Sequence, residues 1–108
     1  MVSKIKEFTA SETINLVGLF HFDDGRLKSL QAVVSKIKEF TASEAINLVE
    51  LFHFDDGRLK SLQAVVSKIT EFTTSEAITL VRLFHFNDGR TKARQIVESN
   101  KGNGLSGN

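Results

Sequence analysis

Apolar residues recur along this chain at the three- and four-residue spacing of amphipathic helices. In the segment 41–52 the apolar positions are Ile46, Leu48, Val49, Leu51 and Phe52. The segment opens with a Thr-Ala-Ser-Glu capping box, in which the Thr41 hydroxyl accepts from the Glu44 amide and the Glu44 carboxylate accepts from the Thr41 amide. The pattern predicts a helix of about three turns that begins after Thr41.

A second helix start follows within a few residues. Asp55 is a suitable N-cap, and Asp56 adds negative charge in the first turn, where the helix dipole favours it. Phe54 before this cap and Leu59 at the fourth helical position have the spacing of a hydrophobic staple. We expect the helix to run to about Lys68, close enough to the first to pack as an αα-hairpin. The apolar positions along one of its faces are Leu59, Leu62, Val66 and Ile69.

The same pair of helix starts occurs three times along the chain. The three copies span 2–33, 34–65 and 66–97, with a period of 32 residues. Their capping boxes are Thr9 with Glu12, Thr41 with Glu44, and Thr73 with Glu76. The first two copies differ only at Thr13 against Ala45 and at Gly18 against Glu50, whereas the third differs from the second at nine positions. Such near-identity indicates a recent duplication or a laboratory amplification of one unit.

The third copy carries polar residues where the other two are apolar. The positions of Leu59, Leu62, Val66 and Ile69 hold Leu27, Leu30, Val34 and Ile37 in the first copy and Thr91, Arg94, Glu98 and Lys101 in the third. Ile96 and Val97 nearby stay apolar. Because the last repeat of a stack needs a polar outer face, we predict that the apolar stripe faces the following repeat and that the third copy is a cap. The alternative is that the third copy has drifted without such a role.

Together these patterns predict an all-α fold, a right-handed α-solenoid of three stacked helical hairpins over residues 1–99. Met1–Glu7 is interpreted as a helical stub, the end of a helix whose start is missing, which leaves the N-terminal end incompletely covered. An exposed apolar end can pair with a second copy, so a homodimer through this end is expected. The Gly-, Asn- and Ser-rich tail 100–108 is expected to be disordered or a laboratory addition.

Composition narrows the classes of function. The 108 residues carry 14 basic and 13 acidic side chains, without the basic excess of nucleic-acid binders. No segment approaches the run of about 18 apolar residues that crosses a membrane. The chain has no Cys, so neither a disulfide framework nor thiolate chemistry is expected. We therefore predict no nucleic-acid or membrane partner, and a cytoplasmic location by default.

Three histidines, His21, His53 and His85, occupy the same position in the three copies. Neutral imidazoles bind metal ions, but adjacent repeats lie about 10 Å apart, the distance between packed helices. Two ligands of one zinc ion need to be closer than that. Each His also lies between two Phe at a tight turn, so we favour a structural role and predict no metal and no cofactor.

The Asp-Asp-Gly sequences at Asp23 and Asp55 resemble the start of a calcium-binding loop. An EF-hand needs further oxygen ligands and a bidentate Glu at loop position 12, which neither segment provides, and the third copy has Asn87 in place of the first Asp. Helix capping accounts for these residues. Because nucleophile elbows and phosphate-binding loops are also missing from the sequence, we assign no catalytic, cofactor-binding or metal residue and predict that the chain is not an enzyme.

The Phe residues and one variable position of the repeat indicate structural roles rather than catalytic or binding ones. The nine Phe occur three per copy at fixed positions and are predicted to be core residues. Residues 18, 50 and 82 are Gly, Glu and Arg, and this variation predicts an exposed position. There Glu50 and Arg82 can pair between neighbouring copies, for at most about 1 kcal/mol.

The segments FHFDDGRLKSL and FTASEAINLVELF resemble the helical domain-of-unknown-function family DUF4476 of bacteria and eukaryotes. Units of that family read roughly F-x-F-D-x-x-K-L, followed by an F-T-x-x-Q helix start, and the resemblance covers nearly the whole chain before the tail. The chain departs from it in its near-identical copies and at Gly57-Arg58, where a polar residue and then Lys are expected. The resemblance implies an all-helical repeat fold and brings no known activity.

Two functions are compatible with these features. The first is a non-catalytic scaffold, an engineered or recently amplified repeat protein without a specific biochemical activity. The alternative is a protein–protein interaction module, which binds a protein or peptide on the concave face that solenoids present.

Overall fold

A computed structural model describes residues 7–104 of the chain, with side chains for residues 7–100. The described α-helices are α1 (Ala10–Gly18), α2 (Asp23–Val33), α3 (Ala42–Glu50), α4 (Asp55–Val65), α5 (Thr74–Arg82) and α6 (Asn87–Gly104). Short 3-10 helices at Val34–Lys36 and Val66–Lys68 follow α2 and α4. Over residues 7–104 the only extended pairing is two isolated bridges, and the predicted all-α class is confirmed.

Capping boxes begin the first helix of each copy, as predicted. Thr41 Oγ1 accepts from the amide of Glu44 at 3.1 Å, and the Glu44 carboxylate accepts from the amide of Thr41 at 2.9 Å. The same reciprocal bonds form in the other two boxes. Each box satisfies amides that the first turn of a helix leaves without an intrahelical partner, so these helix starts follow directly from the local sequence.

The second helix of the first two copies ends earlier than predicted. α4 stops at Val65, and after the 3-10 turn Ile69 is extended instead of helical. The backbone carbonyl of Lys68 accepts from the amide of Phe40 at 2.9 Å, and Phe40 and Ile69 form a parallel bridge. This bond takes the Lys68 carbonyl away from the helix. Ile69 is therefore buried at the bridge rather than on the predicted helical stripe.

Successive helical pairs pack on one another in chain order. Within the copies, α1 contacts α2, α3 contacts α4 and α5 contacts α6. Between the copies, α3 contacts both α1 and α5, and α4 contacts both α2 and α6. The first helices thus form one layer and the second helices another, and the core lies between the layers.

The core contains most of the bulky apolar residues but not all of the aromatic ones. Its largest fully buried side chains include Phe40, Phe52, Phe84, Leu30, Leu48, Leu62 and Leu80. The prediction that all nine Phe are core residues is wrong for Phe20, Phe22, Phe54 and Phe86, which are 40%, 77%, 70% and 70% exposed. Phe54 is the extended N-cap residue of α4, and its ring lies outside the helix–helix contacts. The predicted staple with Leu59 therefore does not bury it.

Two predicted segments lie at the limits of the described chain. Of the predicted stub at residues 1–7, only Glu7 is within the described residues, and it is not helical. α6 continues to Gly104, into the tail for which disorder is predicted, and residues 105–108 lie outside the described part. In the described part of the chain, no helix is long and apolar enough to cross a membrane.

Candidate functional site at the junctions between helical pairs

The sequence Phe-His-Phe-Asp-Asp-Gly-Arg lies where one helical pair meets the next. Its first Asp begins the second helix of one pair, and the carboxylate reaches the turn of the following pair. Asp23 accepts from the amides of His53 and Phe54 at 2.8 and 2.9 Å. Asp55 makes the same two bonds, each at 2.9 Å, to the amides of residues 85 and 86. Each junction is therefore held by a carboxylate that accepts from two successive backbone amides.

This geometry corrects the prediction that Asp55 caps its own helix. The N-cap of α4 is Phe54, which makes no side-chain capping bond, and Asp55 is the first helical residue. Its side chain is only 15% exposed because it lies between α4 and the next turn. The dipole of α4 still favours a negative charge at this position. The junction was not predicted from the sequence, because an Asp at a helix start is equally suited to cap its own helix and to accept from amides of the next repeat.

An Arg three residues after this Asp completes each junction. Arg58 Nε donates to the carbonyl of Phe52 in its own turn at 2.7 Å, and Arg58 Nη1 donates to the carbonyl of Leu83 in the next turn. Arg26 makes the equivalent bonds in the first junction. Leu83 is the C-cap residue of α5, so this carbonyl lies at the negative end of a helix dipole, where a cation is favoured. The guanidinium thus joins the ends of two first helices.

Glycine at the intervening position leaves room for the incoming carboxylate. A Cβ atom at Gly57 would lie 2.7 Å from Asp23 Oδ2 and 3.0 Å from Phe52 Cδ2. At Gly89 it would lie 2.7 Å from Asp55 Oδ2. At Gly25 the nearest atom would instead be Phe20 Cδ2, at 3.1 Å. At Gly57 and Gly89 the closest approach therefore comes from the preceding helical pair, in addition to the Phe ring of the same turn.

The histidines lie beside these junctions. His53 Nε2 is 3.3 Å from Arg26 Nη1, and His85 Nδ1 is 3.6 Å from Asp55 Oδ1. Both residues are exposed, and each lies against the junction residues of the preceding pair. Among the side chains that the structure describes, no three His, Cys, Asp or Glu are placed to hold a metal ion.

The second Asp of the motif faces solvent. Asp56 lies 3.2 Å from Lys60 one turn later and is 77% exposed, and the first and third copies carry the same pair. An exposed pair at this spacing contributes about 0.3–0.5 kcal/mol. Glu50 and Arg82 are both exposed, and they form no ion pair with each other, contrary to the pairing considered from the sequence.

The third copy differs from the other two at the residue that bridges each junction. Asn87 replaces the bridging Asp, and Arg90 Nε bonds the carbonyl of its own turn at 2.9 Å. The stripe positions Thr91, Arg94 and Glu98 of α6 are exposed. Leu62, which corresponds to Arg94, is 0% exposed, so this position is covered when a helical pair follows. The burial of Leu62 and the exposure of Arg94 agree with the prediction that the stripe faces the following pair, which stays a prediction.

At the N-terminal end, a Phe that is buried in the second and third copies is exposed in the first copy. Phe20 is 40% exposed, whereas Phe52 and Phe84 in the later copies are 0% exposed. Leu19 is 73% exposed. We call the exposed or partly exposed apolar residues Phe8, Leu16, Leu19 and Phe20 of the first pair the N-terminal face.

At the opposite end, α5 and α6 enclose an open groove of about 280 Å³. The residues that line this C-terminal groove are Thr74, Ala77, Ile78, Val81, Arg82, Arg94, Val97 and Glu98. Ile78 on α5 is 52% exposed, while α6 contributes the charged residues Arg94 and Glu98. Apolar residues of α5, among them the exposed Ile78, therefore remain in this groove beside polar residues of both helices.

Comparison with known proteins identifies the family of this segment. A family model described as "Domain of unknown function (DUF4476)" matches residues 4–70, more than half of the chain. No curated protein and no solved structure matches the chain significantly. The matched segment contains the first junction, including Asp23, Arg26 and Gly57.

Proposed function

We propose that this chain, which belongs to the DUF4476 family, is a non-catalytic helical repeat scaffold whose helical hairpins stack as a right-handed α-solenoid. The observation that carries the proposal is the use of the Phe-His-Phe-Asp-Asp-Gly-Arg motif. This motif holds the candidate Asp and His side chains, yet its first Asp, its Arg and its Gly are engaged in contacts between helical pairs. A catalytic site would instead direct such groups toward a pocket.

The proposal extends to the origin and partners of the chain. The first two copies differ at two positions, which supports an origin by amplification or engineering of one unit. The balance of 14 basic and 13 acidic side chains supports the absence of a nucleic-acid or membrane partner. A cytoplasmic location is part of the same proposal.

The test compares two adjacent carboxylates at one helix start. Asp55→Ala removes the acceptor of two amides in the next turn, whereas Asp56→Ala removes an exposed pair with Lys60. Both variants lose a similar interaction with the helix dipole, so their difference isolates the junction. We expect Asp55→Ala to lower the free energy of unfolding in urea by about 2 kcal/mol, and Asp56→Ala by less than about 0.5 kcal/mol. Equal losses would contradict the scaffold proposal.

A second candidate function, protein binding, is favoured by a row of exposed aromatic rings. Phe22, Phe54 and Phe86 occupy the same position in the three copies and are 77%, 70% and 70% exposed. Aromatic side chains are enriched in protein interfaces, so this row is the proposed anchor for a protein or peptide on the concave face. Replacing all three by Ala, which like Phe offers no capping side chain, should abolish capture of such a partner and leave the thermal melt unchanged. A partner that still binds the triple variant would exclude the row as its site.

A further inference from the structure

We propose that the N-terminal face binds the third helical pair of a second copy of this chain, head to tail. The inference rests on the scaffold function proposed above, because it transfers the junction between helical pairs to a junction between chains. Three features of the molecule carry it: backbone groups at the first turn, two complementary apolar surfaces, and the position of Gly25.

The turn of the first pair presents the same backbone groups that the later turns use. In the first junction, Asp23 and Arg26 bind the amides of residues 53 and 54 and the carbonyl of Leu51. The equivalent groups in the first turn are the amides of His21 and Phe22 and the carbonyl of Leu19. Within residues 7–104 these groups have no hydrogen-bond partner. The two amides and the carbonyl can therefore bind the helix start of another chain, provided that it has an acceptor side chain followed three residues later by Arg.

The third pair supplies such a helix start. Asn87 begins α6, and its amide oxygen can accept from one of the two amides. Arg90 uses Nε within its own turn, which leaves its Nη1 group to donate to a carbonyl outside the pair, as Arg58 does at the second junction.

The two end surfaces are also complementary in their apolar residues. Inside the molecule, Val17 and Val49 are 0% exposed because the next pair covers them. Their equivalent Val81 lies in the C-terminal groove beside Ile78, which is 52% exposed. The Phe that is fully buried at positions 52 and 84 recurs on the N-terminal face as the 40% exposed Phe20. A second copy that docks in register buries both surfaces.

Two differences make the contact between chains weaker than the contact within a chain. Asn87 offers a neutral acceptor in place of a carboxylate, and hydrogen bonds to charged acceptors are about twice as strong. Arg94 and Glu98 replace apolar residues along the α6 side of the groove. The contact joins unlike surfaces, so each added chain leaves one N-terminal face and one groove open. Association therefore gives a series of oligomers and not a closed dimer.

The experiment is sedimentation velocity on the full chain over a series of concentrations. For the wild type we expect a weight-average mass that rises with concentration. Asn87→Asp restores the bridging carboxylate and should tighten association by about tenfold. Adding Thr91→Leu and Arg94→Leu restores the residues of the second copy and should yield a ladder of larger oligomers.

Gly25→Ala is the matched control for docking. By analogy with Gly57, where an added Cβ would lie 2.7 Å from the incoming Asp oxygen, a methyl at residue 25 would occupy the place of the incoming side chain. In the single chain its nearest neighbour is Phe20 at 3.1 Å, a ring that is 40% exposed and free to shift. The variant should therefore keep the wild-type circular-dichroism melt and lose self-association.

Three results would overturn the inference: a wild-type mass that does not change with concentration, oligomers that stop at the dimer, or association that survives Gly25→Ala. The scaffold proposal is tested by a separate experiment, the comparison of Asp55→Ala with Asp56→Ala. If Asp55→Ala and Asp56→Ala destabilise the chain equally, the scaffold proposal fails. If they differ as expected while no association occurs, only the contact between chains is wrong.

Discussion

At the residue scale, the three glycines at positions 25, 57 and 89 have different neighbours in space. The residues that precede them in the sequence are nevertheless the same, apart from Asn87 in the third copy. All three glycines lie against the Phe ring of their own turn, but Gly57 and Gly89 also lie against an Asp oxygen of the preceding pair. The Asp23 carboxylate cannot retreat without losing its two amide donors, and Phe52 is fully buried. The same substitution should therefore have opposite effects at the first and second of these positions.

We predict that Gly57→Ala lowers the free energy of unfolding by about 1 kcal/mol, because loss of the Asp23 bonds outweighs the helix propensity that Ala adds. Gly25→Ala should leave stability unchanged or raise it by up to about 1 kcal/mol, since it adds helix propensity without displacing a carboxylate. Urea unfolding followed by circular dichroism measures both. A Gly57→Ala variant as stable as Gly25→Ala would show that the close approach at the junction is not required.

At the element scale, the first helix of each copy is short, and α3 has nine residues. Isolated helices of this length are marginal in water, so α3 depends on its capping box and on its contacts with α1, α4 and α5. The box is formed within four consecutive residues, so it can be predicted from the sequence. A mutation in the box can also test its contribution without changing the contacts between helices.

Thr41→Ala should lower the free energy of unfolding by about 1 kcal/mol, because the Glu44 amide loses its acceptor at the first turn. Ser43→Ala in the same turn is the control, since Ser43 is exposed and surface substitutions usually change stability by less than about 0.5 kcal/mol. Chemical denaturation of the two variants in parallel gives the comparison. Indistinguishable unfolding curves would contradict the role of the box.

At the scale of the whole molecule, each helical pair contacts its neighbours in the chain, and the two ends of the row differ. α6 is polar on the side that α2 and α4 use for contact with the next pair, and Leu62 at 0% exposed is replaced there by the exposed Arg94. One sequence position is therefore a core position in the second copy and a surface position in the third.

Exchanging the residue types at this position should affect stability in the second copy and self-association in the third. Leu62→Arg buries a charge between α4 and α6 and should lower the free energy of unfolding by about 4 kcal/mol. Arg94→Leu should change it by less than about 0.5 kcal/mol but enlarge the apolar part of the C-terminal groove and promote self-association. Thermal melts and light scattering on both variants separate these effects. Similar stability losses at the two sites would contradict the assignment of this stripe to the contact between pairs.

Local sequence was sufficient to predict the capping boxes, the all-α class and the exposed polar residues of the third copy. It was not sufficient for Asp55 or Ile69, because the partners of these residues lie about one repeat away in the chain. Asp55 binds residues 85 and 86, and Ile69 pairs with Phe40. One signal was available: Asn87 replaces the bridging Asp in the same copy whose stripe is polar. Taken together, the two changes indicate that this Asp also contacts the following pair.

The junction bonds have a consequence for amide hydrogen exchange. The tripeptide Phe-His-Phe and the Leu before it are identical in all three copies, so the intrinsic exchange rates of the His amides are closely matched. The amides of His53 and His85 donate to a carboxylate, whereas the amide of His21 has no acceptor within residues 7–104. Exchange at His21 therefore serves as an internal reference, and the slowing at His53 and His85 reports the free energy needed to open each junction.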